Sequence, residues 1–238
     1  MLQSSIVNRQ SSIVTLHWLT QTRADVPLDD SWLSEGEKTA LARMRFPKRR
    51  QDWRLGRWTA KRATRAYLGC KGELSELEIR AAQDGGPEAL LDGEPVAISL
   101  SISHSEGLSL CALAAGKLPV GSDVEWVAPR GKTFAEDYFA EEEITSLSYL
   151  TAEERDLRAT LIWSAKESAL KALREGLRRD TRSVIVRLGR EETRDDWNPL
   201  ATHCVKTSRA FYGWWRTKGR HVLTLVAGLP GPRPVALE

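Results

Sequence analysis

The chain has 238 residues, of which 41% are hydrophobic and 28% charged, and its formal net charge is only +3. The apolar fraction excludes a wholly disordered protein, and 17 Gly and 10 Pro are too few for a collagen-like or low-complexity chain. No apolar run approaches the roughly 20 residues that cross a bilayer, and the first residues lack the pattern of a signal peptide. We therefore expect a cytoplasmic protein that does not bind membranes.

The three cysteines, Cys70, Cys111 and Cys204, are widely separated. An odd and scattered set provides neither a disulfide framework nor the spacing of a zinc site. We expect small buried thiols in a reducing compartment.

Positive charge is concentrated in residues 41–68, which hold ten Lys or Arg and a single acid, Asp52. A segment of this kind attracts phosphate groups. Because the chain as a whole is nearly neutral, the segment favours a pocket for a small polyanion over a long nucleic-acid-binding surface.

The first half of the chain is predicted to alternate strands with two helices. A strand is expected over residues 12–19. Ser34 and Glu37 have the spacing of a capping box and predict a helix that Pro47 interrupts. A second helix is predicted over residues 48–68, with Gly69 at its end. A turn at 84–87 separates a short strand at 76–82 from three later strands; these are predicted over residues 96–104, 108–115 and 120–126.

The second half is predicted to have a similar order of elements. Helices are expected over residues 142–150 and 153–177, and strands over 184–188, 211–215 and 222–226. The tail from Gly228 is expected to be loose. No sequence-level repeat is evident, but the order of elements allows a structural pseudo-repeat. We predict an α+β fold with mostly antiparallel strands, long helices packed on them, and a seam at residues 117–119.

Residues 121–125 read GSDVE and are the first motif that suggests chemistry. Side chains two residues apart in a strand point the same way, so Asp123 and Glu125 direct two carboxylates at one place. Such a pair repels unless a cation or proton lies between its members, and oxygen ligands without His or Cys suit Mg²⁺. The alternative is a strand end with two solvated acids.

Residues 163–171 (WSAKESALK) and 101–105 (SISHS) are the second and third motifs. On a helix, Glu167 and Lys171 lie one turn apart, where they could be a metal ligand and a phosphate-binding cation; the alternative is an ordinary surface ion pair. His104, at a strand end, could donate a hydrogen bond to a phosphate; the alternative is a partly buried structural histidine.

Taken in order, these motifs resemble those of the Sfp-type 4′-phosphopantetheinyl transferases. The likeness rests on residues 103–105, 121–125 and 163–171, and on residues 48–57, which resemble the family's N-terminal basic helix. It extends over residues 35–178 and is most specific at the two acidic motifs.

The resemblance implies a fold of two similar α/β halves, residues 1–117 and 118–238, with the active site between them. It also implies an enzyme that moves the phosphopantetheine arm of coenzyme A to a serine of an apo acyl- or peptidyl-carrier protein and releases 3′,5′-ADP. By position, Asp123, Glu125 and Glu167 would be Mg²⁺ ligands. The implied coenzyme contacts are Lys171 at the pyrophosphate, Ser103 and His104 at the phosphates, Arg49 and Arg57 at the 3′-phosphate, and the Gly85-Gly86 turn at the adenine.

Some points in this assignment stay open. Gly86 stands where the family usually has a lysine, so one phosphate contact is in doubt. Either Glu167 or a Mg²⁺-bound water could take the serine proton. Glu143 matches an acid that could help to orient the reacting groups. The carrier could belong to fatty-acid, polyketide or nonribosomal-peptide synthesis.

The implied partner surface follows the acidic strand and includes Trp126, Val127, Phe134, Tyr138 and Phe139, with Arg130 and Lys132 nearby; its alternative is ordinary core under a loop. We expect a monomer that binds no nucleic acid. The rival functions are a nucleic-acid-binding module built on residues 41–68, a Mg²⁺-dependent nucleotide hydrolase, and a transferase-like protein without activity.

Overall fold

The computed structural model describes residues 13–174 and 179–238. Its strands are β1 (His17–Thr22), β2 (Leu77–Ala81), β3 (Pro87–Leu91), β4 (Glu94–Pro95), β5 (Ile98–Ser105), β6 (Leu108–Ala115), β7 (Val120–Trp126), β8 (Val184–Leu188), β9 (Asn198–Cys204), β10 (Arg209–Lys218), β11 (His221–Ala227) and β12 (Val235–Ala236). Its helices are α1 (Glu35–Ala42), α2 (Pro47–Leu68), α3 (Lys132–Tyr138), α4 (Glu141–Leu147) and α5 (Ala152–Leu173).

The ends of the first two helices follow local signals in the sequence. The Ser34 hydroxyl accepts from the Glu37 amide, and the Glu37 side chain accepts from the Ser34 amide, which is the predicted capping box of α1. Helix α2 begins at Pro47, whose missing N–H is not needed in a first turn. It ends at Gly69, which adopts the left-handed conformation at φ 64°.

Two sheets pack face to face, and each carries one long helix on its outer face. The first sheet has the strand order β12-β1-β6-β5 and the second β7-β11-β10-β9-β8; β2-β3-β4 form a small third sheet. Alternation along β6 shows the layering: Leu110 packs between the two large sheets, whereas Leu113 packs under α2. In the second sheet, Leu223 faces the first sheet and Val222 faces α5. The α+β fold with mostly antiparallel strands is confirmed. Among the strand pairs of the described residues, only β1–β12 is parallel within a sheet.

The two large sheets also meet along one edge, where β5 and β7 lie side by side. Serine hydroxyls of β5 bond backbone amides of the β7 region in place of a continuous backbone ladder. Ser99 Oγ accepts from the Leu118 amide at 2.8 Å, and Ser101 Oγ accepts from the Ser122 amide at 2.9 Å. The partners advance in the same direction along both strands, so the junction is parallel.

A short internal repeat, which the sequence analysis did not recognise, relates the two long helices. Residues 58–61 read WTAK and residues 163–166 read WSAK. Helices α2 and α5 both have 22 residues, and Lys61 and Lys166 are each the fifteenth. Each ammonium is fully buried against a glutamate in the first turn of the preceding helix: Lys61 lies 2.5 Å from Glu37, and Lys166 lies 2.7 Å from Glu143.

The structure corrects several other expectations. The tail is fixed, because the Val235 amide donates to Leu16 and the Leu237 amide donates to Trp18, so the last strand joins the first sheet. Strands β3, β4, β9 and β12 and helix α3 were not predicted. The first strand begins later than expected, and the last residues of the predicted helix 153–177 lie outside the described residues.

Two further expectations concern the state of the cysteines and the presence of membrane-spanning segments. The three cysteines are free, and Cys111 and Cys204 are buried while Cys70 is half-buried. Among the described residues, no helix is both long and apolar enough to cross a membrane.

Candidate active site

The acidic motif of β7 faces a row of side chains on α5. Gly121 has no side chain at the point where the strand approaches the helix most closely, and an added Cβ would overlap the Ser168 carbonyl oxygen. Asp123 and Glu125, two and four residues further on, therefore point toward α5. Trp163, Glu167 and Lys171 lie at four-residue spacing along the facing side of the helix.

Glu125 is held at both carboxylate oxygens. Trp163 Nε1 donates to Oε1 at 3.2 Å, and Arg130 donates to Oε2 at 3.3 Å. Burial raises the pKa of Glu125, and the nearby Asp123 raises it further. Arg130 also lies 4.7 Å from the centre of the Phe134 ring, so this arginine connects the acidic site to α3.

Asp123 is almost fully buried and receives two hydrogen bonds on a single oxygen. Ser103 Oγ donates to Oδ1 at 2.8 Å and Lys171 Nζ donates to the same atom at 2.9 Å. Lys171 also donates to the Ser122 carbonyl at 3.0 Å. The ion pair of Lys171 is thus with Asp123, and not the surface pair with Glu167 that was the alternative interpretation.

Glu167 lies on α5 between Trp163, which bonds Glu125, and Lys171, which bonds Asp123. Burial, followed by the charge of Asp123, raises the pKa of Glu167 to about 7, although Lys171 acts in the opposite direction. Glu167 Oε1 is buried and has no hydrogen-bond partner among the described residues, and the same holds for Asp123 Oδ2. Two buried carboxylate oxygens of the site thus have no hydrogen-bond donor that would compensate for the loss of water.

This donor set fits a hard divalent cation. Three carboxylates that repel one another, with two bare buried oxygens, are the environment in which a cation relieves both repulsion and desolvation. Within residues 13–174 and 179–238, however, no three His, Cys, Asp or Glu side chains already stand close enough to enclose a metal ion. Arg130 and Lys171 hold carboxylate oxygens that a cation would need, so these ion pairs would have to adjust on binding.

A basic cavity of about 500 Å³ lies on the first half of the molecule. It is lined by the start of α2 and the end of β5, through Phe46, Lys48, Arg49, Asp52, Trp53 and His104. Two of the predicted coenzyme contacts, Arg49 and His104, therefore share one cavity. Ser103 points to the opposite face of β5 from His104 and does not line the cavity, because successive residues of a strand point to opposite faces.

Arg57 lies one turn further along α2 than Trp53. Its guanidinium is 4.9 Å from the centre of the Trp53 ring, and its Nε is 4.0 Å from Glu37 Oε1. The side chain is only 19% exposed, and desolvation lowers the pKa of Arg57. The structure thus directs Arg57 toward the buried Glu37–Lys61 pair.

The Gly85-Gly86 turn lies at the C-terminal end of α5. Gly85 has a φ of 84°, which favours glycine. Arg174 donates to both carboxylate oxygens of Asp84, at 3.0 and 2.7 Å, and so links the two halves of the chain. An added Cβ at Gly86 would lie 2.9 Å from Arg174 Nη1. An arginine of the second half therefore stands beside the position where the family usually has a lysine.

Sequence reasoning missed the residues that hold the acidic site in place. Trp163 and Arg130 bond Glu125, and only three-dimensional proximity shows it. The alternation of residues in β5 could have separated Ser103 from His104. Glu143 bonds Lys166 and accepts from the amides of Ala140 and Val186, and a role for it in orienting the reacting groups stays a prediction.

The expected partner surface divides into core and exposed parts. Phe134, Tyr138 and Trp163 form a cluster with ring centres 5.0–5.2 Å apart. Phe139 is 1% exposed and belongs to the core, whereas Tyr138 is 38% exposed. A role for this surface in partner binding stays a prediction.

Comparison with known proteins agrees with this geometry. Residues 119–226 match the model of the 4′-phosphopantetheinyl transferase superfamily. The chain is 28% identical over 150 residues to the 4′-phosphopantetheinyl transferase HetI of Nostoc sp., a match that covers 61% of each chain. It is 27% identical over 170 residues to the putative 4′-phosphopantetheinyl transferase slr0495 of Synechocystis sp., covering 71% of this chain and 68% of that one.

A solved structure shows a weaker likeness. It is a holo-(acyl-carrier-protein) synthase from Bacillus anthracis in complex with CoA (3′,5′-ADP), 19% identical, with a TM-score of 0.37, covering 44% of this chain and 98% of that one. The family model spans β7 to β11 and includes both acidic motifs. The family likeness of this chain is thus to the 4′-phosphopantetheinyl transferase superfamily, over residues 119–226.

Proposed function

We propose that this protein transfers the 4′-phosphopantetheine arm of coenzyme A to a serine of an apo carrier protein and releases 3′,5′-ADP. The observation that carries the proposal is the row of Asp123, Glu125 and Glu167 beside Lys171, with a basic cavity on the neighbouring half. The match of residues 119–226 to the superfamily model supports the same activity. The relative HetI is matched over 61% of its length, so activity, substrate and partner are inferred for this chain.

Coenzyme binding is assigned to the basic cavity and its surroundings. Lys48, Arg49 and His104 line the cavity and offer donors for phosphate oxygens. Asp123, Glu125 and Glu167 would hold a magnesium ion, which when bound would offset the negative charge of the pyrophosphate. We retain Arg57 as a weaker candidate, since its guanidinium already faces Glu37.

The proposed reaction is a phosphoryl transfer. The serine oxygen of the carrier forms a bond to the β-phosphorus of coenzyme A, while the bond from that phosphorus to the oxygen of 3′,5′-ADP breaks. Glu167 Oε1 is the proposed acceptor of the serine proton, because it is buried in the site and has no hydrogen-bond partner among the described residues. Lys171 balances the charge that leaves with ADP.

The carrier protein is proposed to approach along α3. Tyr138 and the aromatic cluster offer apolar contact area, and Arg130 offers positive charge for an acidic partner. The acidic site lies next to this cluster through the Trp163–Glu125 hydrogen bond, so a serine presented there would reach the carboxylates.

Mass spectrometry of candidate apo carriers, incubated with coenzyme A and Mg²⁺, tests the function. We expect a gain of one phosphopantetheine group on serine, and no gain with Glu167→Ala. Cleavage of coenzyme A without any carrier would instead indicate a nucleotide hydrolase. Binding of DNA or RNA that weakens steeply with salt, without transfer, would favour the nucleic-acid-binding alternative.

A further inference from the structure

Strand β5 has a serine at every second position along the edge that faces β7. Three of the four bond backbone groups only. Ser99 and Ser101 accept from amides as described above, Ser99 Oγ also donates to the Gly116 carbonyl at 2.9 Å, and Ser105 Oγ accepts from the Trp126 amide at 3.3 Å. Ser103 differs, because its hydroxyl donates to a side chain, Asp123 Oδ1, at 2.8 Å. Of these four serines, Ser103 is therefore the one that links the β5–β7 junction to the acidic site.

The bond from Ser103 decides which oxygen of Asp123 is available. Oδ1 already accepts from both Ser103 and Lys171, and the residue as a whole is 3% exposed. Oδ2 is buried and has no partner among the described residues. A carboxylate fixed in this way cannot rotate freely, so one defined oxygen stays directed into the site.

The opposite face of β5 serves the basic cavity. His104 lines that cavity together with Arg49, and its ring lies on the side of the strand that packs near Gly56 of α2. Since neighbouring residues of a strand point to opposite sides, Ser103 and His104 act in different parts of the site.

We propose that Ser103 is a positioning residue for Asp123 and not a contact to coenzyme A. Its hydroxyl, together with Lys171, saturates Oδ1 and leaves Oδ2 to bind a divalent cation. The proposal rests on the proposed function only for the presence of that cation.

Manganese binding to the full-length, coenzyme-free protein, measured by electron paramagnetic resonance, tests this role directly. We expect Ser103→Ala to raise the Mn²⁺ dissociation constant by roughly tenfold, as is typical when a group that orients a metal ligand is removed. Ser103→Thr keeps the hydroxyl and should restore most of the affinity. The matched control is Ser101→Ala, which removes a hydroxyl of the same edge that bonds backbone: it should lower the melting temperature and leave Mn²⁺ binding unchanged.

Coenzyme A binding in the presence of EDTA separates the two roles of Ser103. A positioning residue predicts an unchanged dissociation constant for coenzyme A in Ser103→Ala. The proposal is overturned if that constant rises, if Ser103→Ala and Ser101→Ala bind Mn²⁺ equally well, or if the wild type binds no Mn²⁺. A wild type that binds Mn²⁺ normally, with the expected effect of Ser103→Ala, but modifies no carrier would count against the transferase function alone.

Discussion

Glu167 is the residue whose protonation should couple most directly to stability. Its pKa in the fold is about 7, above its ordinary value of 4.5. Between these values the folded protein keeps a proton that the unfolded chain has lost, so the free energy of unfolding falls as pH rises from about 4.5 to 7. The loss should be on the order of 2 kcal/mol, given about 1.4 kcal/mol per pKa unit and partial solvation of the site.

Thermal melts in EDTA at pH 5 and pH 8 check this prediction. The wild type should lose more stability between the two values than Glu167→Gln, whose side chain carries no titratable proton. Glu142→Gln, at an exposed position of α4, controls for the loss of one negative charge. Equal losses in the wild type and Glu167→Gln would show that the site does not retain the proton.

Lys171 is expected to act on the departing group more than on the bound coenzyme. Its ammonium already lies beside Asp123, and its charge gains importance as negative charge builds on ADP. Lys171→Ala should lower kcat by roughly 10² or more, and Lys171→Arg should recover only part of the loss because the guanidinium has a different shape. Single-turnover transfer at saturating coenzyme A and carrier measures this. A changed dissociation constant with an intact rate would make Lys171 a binding residue.

At the level of elements, α2 presents two arginines in different surroundings. Arg49 lines the basic cavity, whereas Arg57 is largely buried against Trp53 and near Glu37. The wild type should bind coenzyme A more tightly than dephospho-coenzyme A, and Arg49→Ala should reduce that preference by roughly tenfold, the value of one charge-assisted hydrogen bond. Arg57→Ala should mainly lower the melting temperature. Calorimetric titration of both coenzymes would contradict this if Arg57→Ala removed the larger share of the preference.

The close approach of α5 to β7 depends on Gly121. An added Cβ would meet the backbone carbonyl of Ser168, which cannot move without the helix. Gly121→Ala should therefore displace α5, separate Glu167 from Asp123 and destabilise the fold by about 1–3 kcal/mol or more. Gly131→Ala is the matched control, because its Cβ would meet nothing closer than 4.0 Å. Urea unfolding and transfer assays of both variants compare the two positions, and equal behaviour would contradict the packing argument.

The sequence predicts elements well where apolar patterning is continuous. Strands β6, β7 and β8 have the predicted bounds, since each is a short run of apolar or β-branched residues. Strand β9 was missed because residues 198–204 (NPLATHC) include a proline and lack such a run. Helix α3 is short and has no side-chain cap, so no start signal marks it.

The part of the site that could be predicted from the sequence is the part that follows from strand alternation and helical spacing. Alternation places Asp123 and Glu125 on one face, and helical spacing places Glu167 and Lys171 on another. That these faces meet depends on tertiary packing, as do the contacts of Arg130 and the burial of charged pairs. A lysine in an amphipathic pattern indicates a solvated position, so the burial of Lys61 and Lys166 is invisible in the sequence.

At the level of the whole molecule, the two halves share one core as well as an edge. Val124 of β7 packs in the same cluster as Leu108 and Leu110 of the first sheet, and β12 returns the chain to β1. These contacts between residues 1–117 and 118–238 predict a single unfolding transition, even though each half has its own helix and its own buried ion pair.

Breaking each buried pair in turn tests that cooperativity. Lys61→Met removes the closest cation of the buried Glu37, and Lys166→Met removes that of Glu143, so each should cost about 3–5 kcal/mol. Lys38→Met, at an ion pair on the surface, should cost less than about 1 kcal/mol. Because the cores are continuous, we expect both buried variants to shift one common urea transition, seen equally by tryptophan fluorescence and circular dichroism. Two resolved transitions, of which Lys61→Met lowered only the first, would show that the halves are separate folding units. The shared cluster between the sheets would then contribute little to holding the active-site residues of both halves together.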